Sequence, residues 1–111
     1  VLVAQQYVVQ GEVEKAKEDL KQTEQRIKVE LENAQSNYQF AIKNFQNAQK
    51  NLELAKRIEK KNEIKFYEGL VSSFELRQAQ NQLYTIQNEL LQSMLEVINK
   101  KTNLEIIINE K

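Results

Sequence analysis

The sequence predicts an all-α protein built as one long antiparallel coiled-coil helical hairpin. Three observations predict it. Apolar residues recur every seven positions along most of the chain, which is the seam pattern of a coiled coil. There is no proline and there are only two glycines in 111 residues, a depletion typical of long helices. One stretch of the periodic region, Phe66-Tyr67-Glu68-Gly69-Leu70-Val71-Ser72-Ser73-Phe74-Glu75-Leu76, carries both a helix-stop and a helix-start signal.

Residues 1–11 differ in character from the rest of the chain. Val1-Leu2-Val3-Ala4-Gln5-Gln6-Tyr7-Val8-Val9-Gln10 is rich in β-branched residues and uncharged. It reads as a frayed end, a strand remnant or an extra helical turn, and periodicity does not decide among them.

Helix 1 is expected over 12–68. One apolar seam runs Val13, Leu20, Ile27, Ala34, Ala41, Ala48, Ala55. A companion runs Leu31, Tyr38, Phe45, Leu52 and reaches Phe66 past a polar Glu59. A strict seven-residue repeat implies a left-handed supercoil. At about 1.5 Å per residue the helix would be roughly 80 Å long. The alanines allow close approach of a neighbouring helix, in a plain two-helix core or in a curved wall of several helices. Glu24/Lys28, Glu53/Arg57 and Glu96/Lys100 are spaced for i,i+4 ion pairs, each worth a few tenths of a kcal/mol.

The tip turn is expected at 69–72. Gly69 can take the left-handed conformation that ends a helix. Leu70 falls where a Schellman ending sets an apolar residue against the last turn, near Ile64 or Lys65. Ser72-Ser73-Phe74-Glu75 is a Ser-x-x-Glu capping box, and Val71 and Leu76 flank it as a hydrophobic staple. Stop and start lie about four residues apart, the length of an antiparallel helix connection.

Helix 2 is expected over 73–109, roughly 55 Å. Its seam is Leu76, Leu83, Leu90, Val97, Leu104, with companions Ala79, Ile86, Ser93, Lys100, Ile107. Tyr84, Leu91, Met94, Leu95, Ile98, Ile106 and Ile108 lie off that seam. So broad an apolar face calls for contacts with further helices. Helix 1 also outruns helix 2 by more than a dozen residues, which leaves its N-terminal part without a partner in the chain.

Composition narrows the function. Sixteen basic and sixteen acidic residues give zero formal charge, which offers no basic face for nucleic acid. Without cysteine or histidine, thiolate or imidazole metal sites and Ser-His-Asp catalysis are excluded. No nucleophile–base pair, metal cluster or phosphate loop is present, so neither catalysis nor a cofactor is expected. No signal peptide and no run able to cross a bilayer are read in these residues. Asn and Gln make up roughly a quarter of the chain, above an average domain.

Several motifs resemble the C-terminal helical hairpin of TolC-like outer-membrane efflux proteins. They are Asn51-Leu52-Glu53-Leu54-Ala55, the stretch Ile64 to Leu76, and Ala79-Gln80-Asn81-Gln82-Leu83. Val13 to Leu20 and Val29 to Tyr38 look like the family's long helix, and Leu90 to Leu104 like its returning helix. Val8-Val9-Gln10-Gly11 falls where members leave their last strand through a glycine-rich turn, though the usual proline and second glycine are missing.

The resemblance implies a homotrimer in the full-length protein. Its helices form a periplasmic α-barrel below an outer-membrane β-barrel in a Gram-negative cell. The conduit carries drugs, small molecules or proteins outward, as in multidrug efflux and type I secretion. The hairpin tips meet a periplasmic adaptor, the membrane fusion protein, which links them to an inner-membrane transporter. Membrane contact would come only through parts absent from this chain, which looks like a fragment. Gly69, Leu70, Val71 and Ser72 match the adaptor-docking turn; they also cap helices. Glu75 matches a position where members place acids in the channel mouth, and it is equally the capping-box acid. Gln78 falls where some members carry a second acid. Phe66 and Tyr67 either line the mouth or pack the last turn. The Gln/Asn-rich faces suit a water-filled lumen or a plain solvated surface.

Two other classes remain open. One is a free-standing coiled-coil hairpin with a structural or oligomerisation role. The other is the hairpin of a periplasmic adaptor, against which stand the spacing around the turn and the lack of flanking lipoyl-like β segments.

Overall fold

A computed structural model describes residues 2–109. The chain forms two helices, α1 (Leu2–Tyr67) and α2 (Ser73–Asn109), antiparallel and joined by a tight turn. The 66 residues of α1 at about 1.5 Å each account for the longest dimension of the molecule, 100 Å against 18 and 13 Å across. The hairpin is a straight rod rather than a globule.

The burial pattern traces the contact line residue by residue. From Ile27 to Asn62, the covered positions of α1 include Ile27, Leu31, Ala34, Tyr38, Ala41, Phe45, Ala48, Leu52, Ala55, Glu59 and Asn62. They advance in steps of four and three without a break. The partner line on α2 runs Leu76, Ala79, Leu83, Ile86, Leu90, Ser93, Val97, Lys100, Leu104 and Ile107, likewise in threes and fours. This is heptad packing of one stripe against another.

Among the described residues only alanines are buried: Ala34, Ala41, Ala55 and Ala79, with Ala41 at 2 % exposure. The physical reason is geometric. Two cylinders touch along a line, and only a side chain short enough to sit on that line is covered from all sides. The larger seam residues straddle it and stay half-covered.

Polar seam residues are accommodated locally. The Asn62 side-chain amide donates to the Ile58 carbonyl at 2.9 Å. The Ser93 hydroxyl donates to the Leu90 carbonyl at 2.7 Å. Lys100 pairs with Glu96 at 3.4 Å. The other two expected ion pairs are corrected. Glu53 meets Lys56 at 3.9 Å rather than Arg57, and Glu24 and Lys28 do not come within ion-pair distance. These side chains are exposed, and such pairs are too weak to fix a rotamer against solvation.

At the N-terminus the structure follows the helical one of the three readings left open, and it extends further than a single turn. α1 begins at Leu2, ten residues before the expected start, and runs through Gly11 without interruption; Val1 lies outside the described residues. Neither a frayed end nor a strand remnant is found at 2–10, and Val8 to Gly11 form no turn. Extending an existing helix by one residue is cheap once it is nucleated. A mid-helix glycine costs about 1 kcal/mol relative to alanine, which is too little to stop it.

Every described residue of α1 before Ile27 is exposed. This overhang spans about 37 Å at the usual helical rise. Val13 and Leu20 keep the seven-residue spacing, but the companion positions Gln10, Lys17 and Glu24 are polar. The seam therefore thins where α2 no longer accompanies it. Gly11 has no atom within 4 Å of where a Cβ would stand. Gly11→Ala is expected to raise helix content and to stabilise the overhang by about 1 kcal/mol, read by far-UV circular dichroism during urea titration.

Candidate functional site

The tip is where the chain commits to reversing, and its geometry follows from a few residues. Gly69 adopts φ 76°, a conformation that costs an L side chain about 1–2 kcal/mol. Nothing lies within 4 Å of its Cβ position, so backbone conformation alone demands the glycine. The Leu70 amide donates to the Lys65 carbonyl at 2.8 Å and the Gly69 amide to the Phe66 carbonyl at 3.0 Å. These are the two bonds of a complete Schellman ending.

Ser72 then starts α2. Its hydroxyl accepts from the Glu75 amide at 3.2 Å, and its carbonyl accepts from the Leu76 amide at 3.2 Å. Only half of the expected capping box forms. Among the described residues no hydrogen bond joins the Glu75 carboxylate to the Ser72 amide. The Glu75 side chain is therefore not tied up in the cap, although its position in the first turn still suits the positive end of the helix dipole.

The side chains around this turn divide by exposure. Leu70 stands 69 % exposed and Ile64 is also open, so the Schellman ending leaves its apolar residue largely uncovered. Val71 and Leu76 are half-buried. Tyr67 is 80 % exposed and meets Phe66 edge-on, with ring centroids 5.9 Å apart at 63°. Phe74, 65 % exposed, joins this apolar crown, and sequence reasoning alone misses it. It sits inside the Ser-x-x-Glu box, where the flanking cap residues carry the obvious signal.

Glu75 and Gln78 line one open groove between the helices beneath the crown, with Asn62 opposite. Around the reversal, then, Tyr67 and Leu70, singled out by sequence, and Phe74, which was not, are exposed apolar side chains, while Glu75 and Gln78 line a polar groove. Phe66 makes an edge-on ring contact with Tyr67. No cluster of potential metal-ligating side chains occurs among the described residues.

α2 also bears a second exposed apolar stripe. Tyr84, Leu91 and Ile98 are all open to solvent, and each directly succeeds a seam residue, Leu83, Leu90 or Val97. One residue is a rotation of about 100°, so α2 presents two adjacent apolar faces. A hairpin satisfied with one partner needs only one.

A capped hairpin with uncovered apolar flanks leaves surface that its own two helices do not cover. The chain belongs to the outer membrane efflux protein family, whose model matches residues 2–110. No curated protein and no solved structure matches it. No helix among the described residues is long and apolar enough to cross a membrane.

The two tip caps make separable contributions. Gly69→Ala is expected to cost about 1–2 kcal/mol through backbone strain, and Ser72→Ala about 1 kcal/mol through loss of the cap. Chemical denaturation of the two variants, singly and combined, checks both figures.

Proposed function

We propose that this chain forms part of the periplasmic conduit wall of an outer-membrane efflux or secretion channel, and that its tip docks a periplasmic adaptor. The observation that carries the docking role is the crown. Leu70 projects from a turn whose backbone is locked by paired hydrogen bonds, so an apolar contact is held out at little cost in ordering entropy. The wall role rests on the second apolar stripe of α2 and on the family match over 2–110. That match also favours the conduit over a free-standing hairpin. In this reading the channel is a trimer, the inner-membrane transporter is engaged through the adaptor, and no catalysis takes place in the conduit.

Glu75 serves at the channel mouth. Its carboxylate is free of the cap and shares a groove with Gln78 and Asn62. A single acid per protomer with a neutral neighbour gives one weak ring of negative charge, which attracts cations at the entrance. The Asn- and Gln-rich surface offers hydration without fixed charge, suited to letting varied cargo pass.

Leu70→Asp or Val71→Asp in the full-length channel is expected to abolish pump assembly, measured as adaptor co-purification and as drug accumulation in cells. Normal efflux with either variant would remove the docking role. Glu75→Gln is expected to lower the cation preference of the channel in planar bilayers; an unchanged reversal potential would place Glu75 outside the conducting path.

A further inference from the structure

Sulfur occurs once in these 111 residues: Met94 is the sole methionine and there is no cysteine. That thioether stands 42 % exposed on α2, where the two apolar stripes of the helix meet. Residues three and four apart share a helix face. Met94 is therefore flanked by Leu90 and Val97 of the seam and by Leu91 and Ile98 of the second stripe. Leu91 and Ile98 are open to solvent, and so is the adjoining Leu95. The sulfur lies amid apolar surface that α1 does not cover.

A thioether open to solvent takes an oxygen atom from two-electron oxidants such as hydrogen peroxide. The sulfur lone pair attacks one peroxide oxygen, an S–O bond forms and the O–O bond breaks. The departing hydroxide takes the proton of the transferred oxygen and leaves as water. Sulfur loses two electrons and the peroxide gains them. A soft, adaptable apolar group becomes a polar one with an acceptor oxygen. In the free hairpin water hydrates that oxygen. Beneath a neighbouring helix nothing on α2 would serve it. The side chains three and four residues away are all aliphatic, and the Ser93 hydroxyl already donates to the Leu90 carbonyl at 2.7 Å. Burying an acceptor without a donor is unfavourable.

We propose that Met94 is a redox-sensitive contact: its oxidation by a hydroperoxide in unassembled subunits blocks the seating of a neighbouring helix of the channel on α2, and assembly, once complete, shields the sulfur. The inference rests on the wall role of the second stripe and adds to it a chemical control over assembly.

The test uses the full-length channel protein, as separated subunits and as the assembled channel, with and without hydrogen peroxide. Peptide mass spectrometry locates the added oxygen, and analytical ultracentrifugation reads subunit association, each sample against its own untreated control. Unchanged circular dichroism controls for folding. Met94 is expected to gain oxygen in free subunits and to be protected in the channel. The sulfoxide is expected to weaken association about tenfold, and methionine sulfoxide reductases of both stereospecificities are expected to restore it. Peroxide is expected to leave the association of Met94→Leu where its untreated control stands. The proposal is overturned if Met94 oxidises equally fast in subunits and channel, if the oxidised subunits associate like untreated ones, or if peroxide weakens Met94→Leu as much as wild type. Leu91→Asp separates this inference from the wall role. If Leu91→Asp abolishes association and the sulfoxide does not alter it, the wall contact stands and the redox control falls. If the sulfoxide weakens association and Leu91→Asp does not, the redox control stands and the second stripe falls. If neither alters it, both fall.

Discussion

Two helices lying side by side share a line of contact in place of a core, and the alanines at 34, 41, 55 and 79 are what let that line close. Their small side chains bring the backbones near enough for Leu31, Leu52, Leu83 and Leu90 to reach across on either side. The rest of the molecule reflects how little such a line can cover. Among the described residues no large side chain is fully buried, so the hydrophobic gain per residue is below that of a compact domain of the same length. Surface left over on α2 and on α1 ahead of Ile27 is the remainder of that geometry. It becomes useful once other helices stand alongside.

The heptad grammar made most of this legible in advance. The covered positions from Ile27 to Asn62 and from Leu76 to Ile107 are mostly those the seven-residue spacing names, and Gly69 and Ser72 mark the reversal through conformational preference and capping chemistry. What escaped the sequence were features decided by small energies. Gly11 looks like a boundary, yet its cost as a helix residue is about 1 kcal/mol, and the uncharged stretch before it carries no stop signal. Glu53 had Lys56 and Arg57 equally in reach, and exposed ion pairs of this kind differ by tenths of a kcal/mol. The Ser-x-x-Glu motif permits the Glu75 carboxylate to close the cap; in the structure it stands aside.

The candidate site was less legible than the fold, for a physical reason. Helix caps and docking turns use the same residue types, because both need a tight reversal with glycine and a hydroxyl. Sequence cannot separate Leu70 as a residue that folds onto the last turn from Leu70 as one that is held out. Exposure makes that distinction, and it brings Phe74 into the same crown. The groove beside Glu75 likewise depends on Asn62, more than ten residues away along the chain and adjacent only after the reversal.

The locked turn has one more consequence. Peptide bonds are cut most readily where backbone can be pulled straight into an enzyme cleft, and surface loops are the usual place. Here the sole break in helix among the described residues is the short run from Glu68 to Ser72, and its amides at Glu68, Gly69 and Leu70 are engaged with carbonyls of the preceding turn. The reversal most open to attack is thus the one least able to straighten, so the rod's farthest end resists nicking by construction.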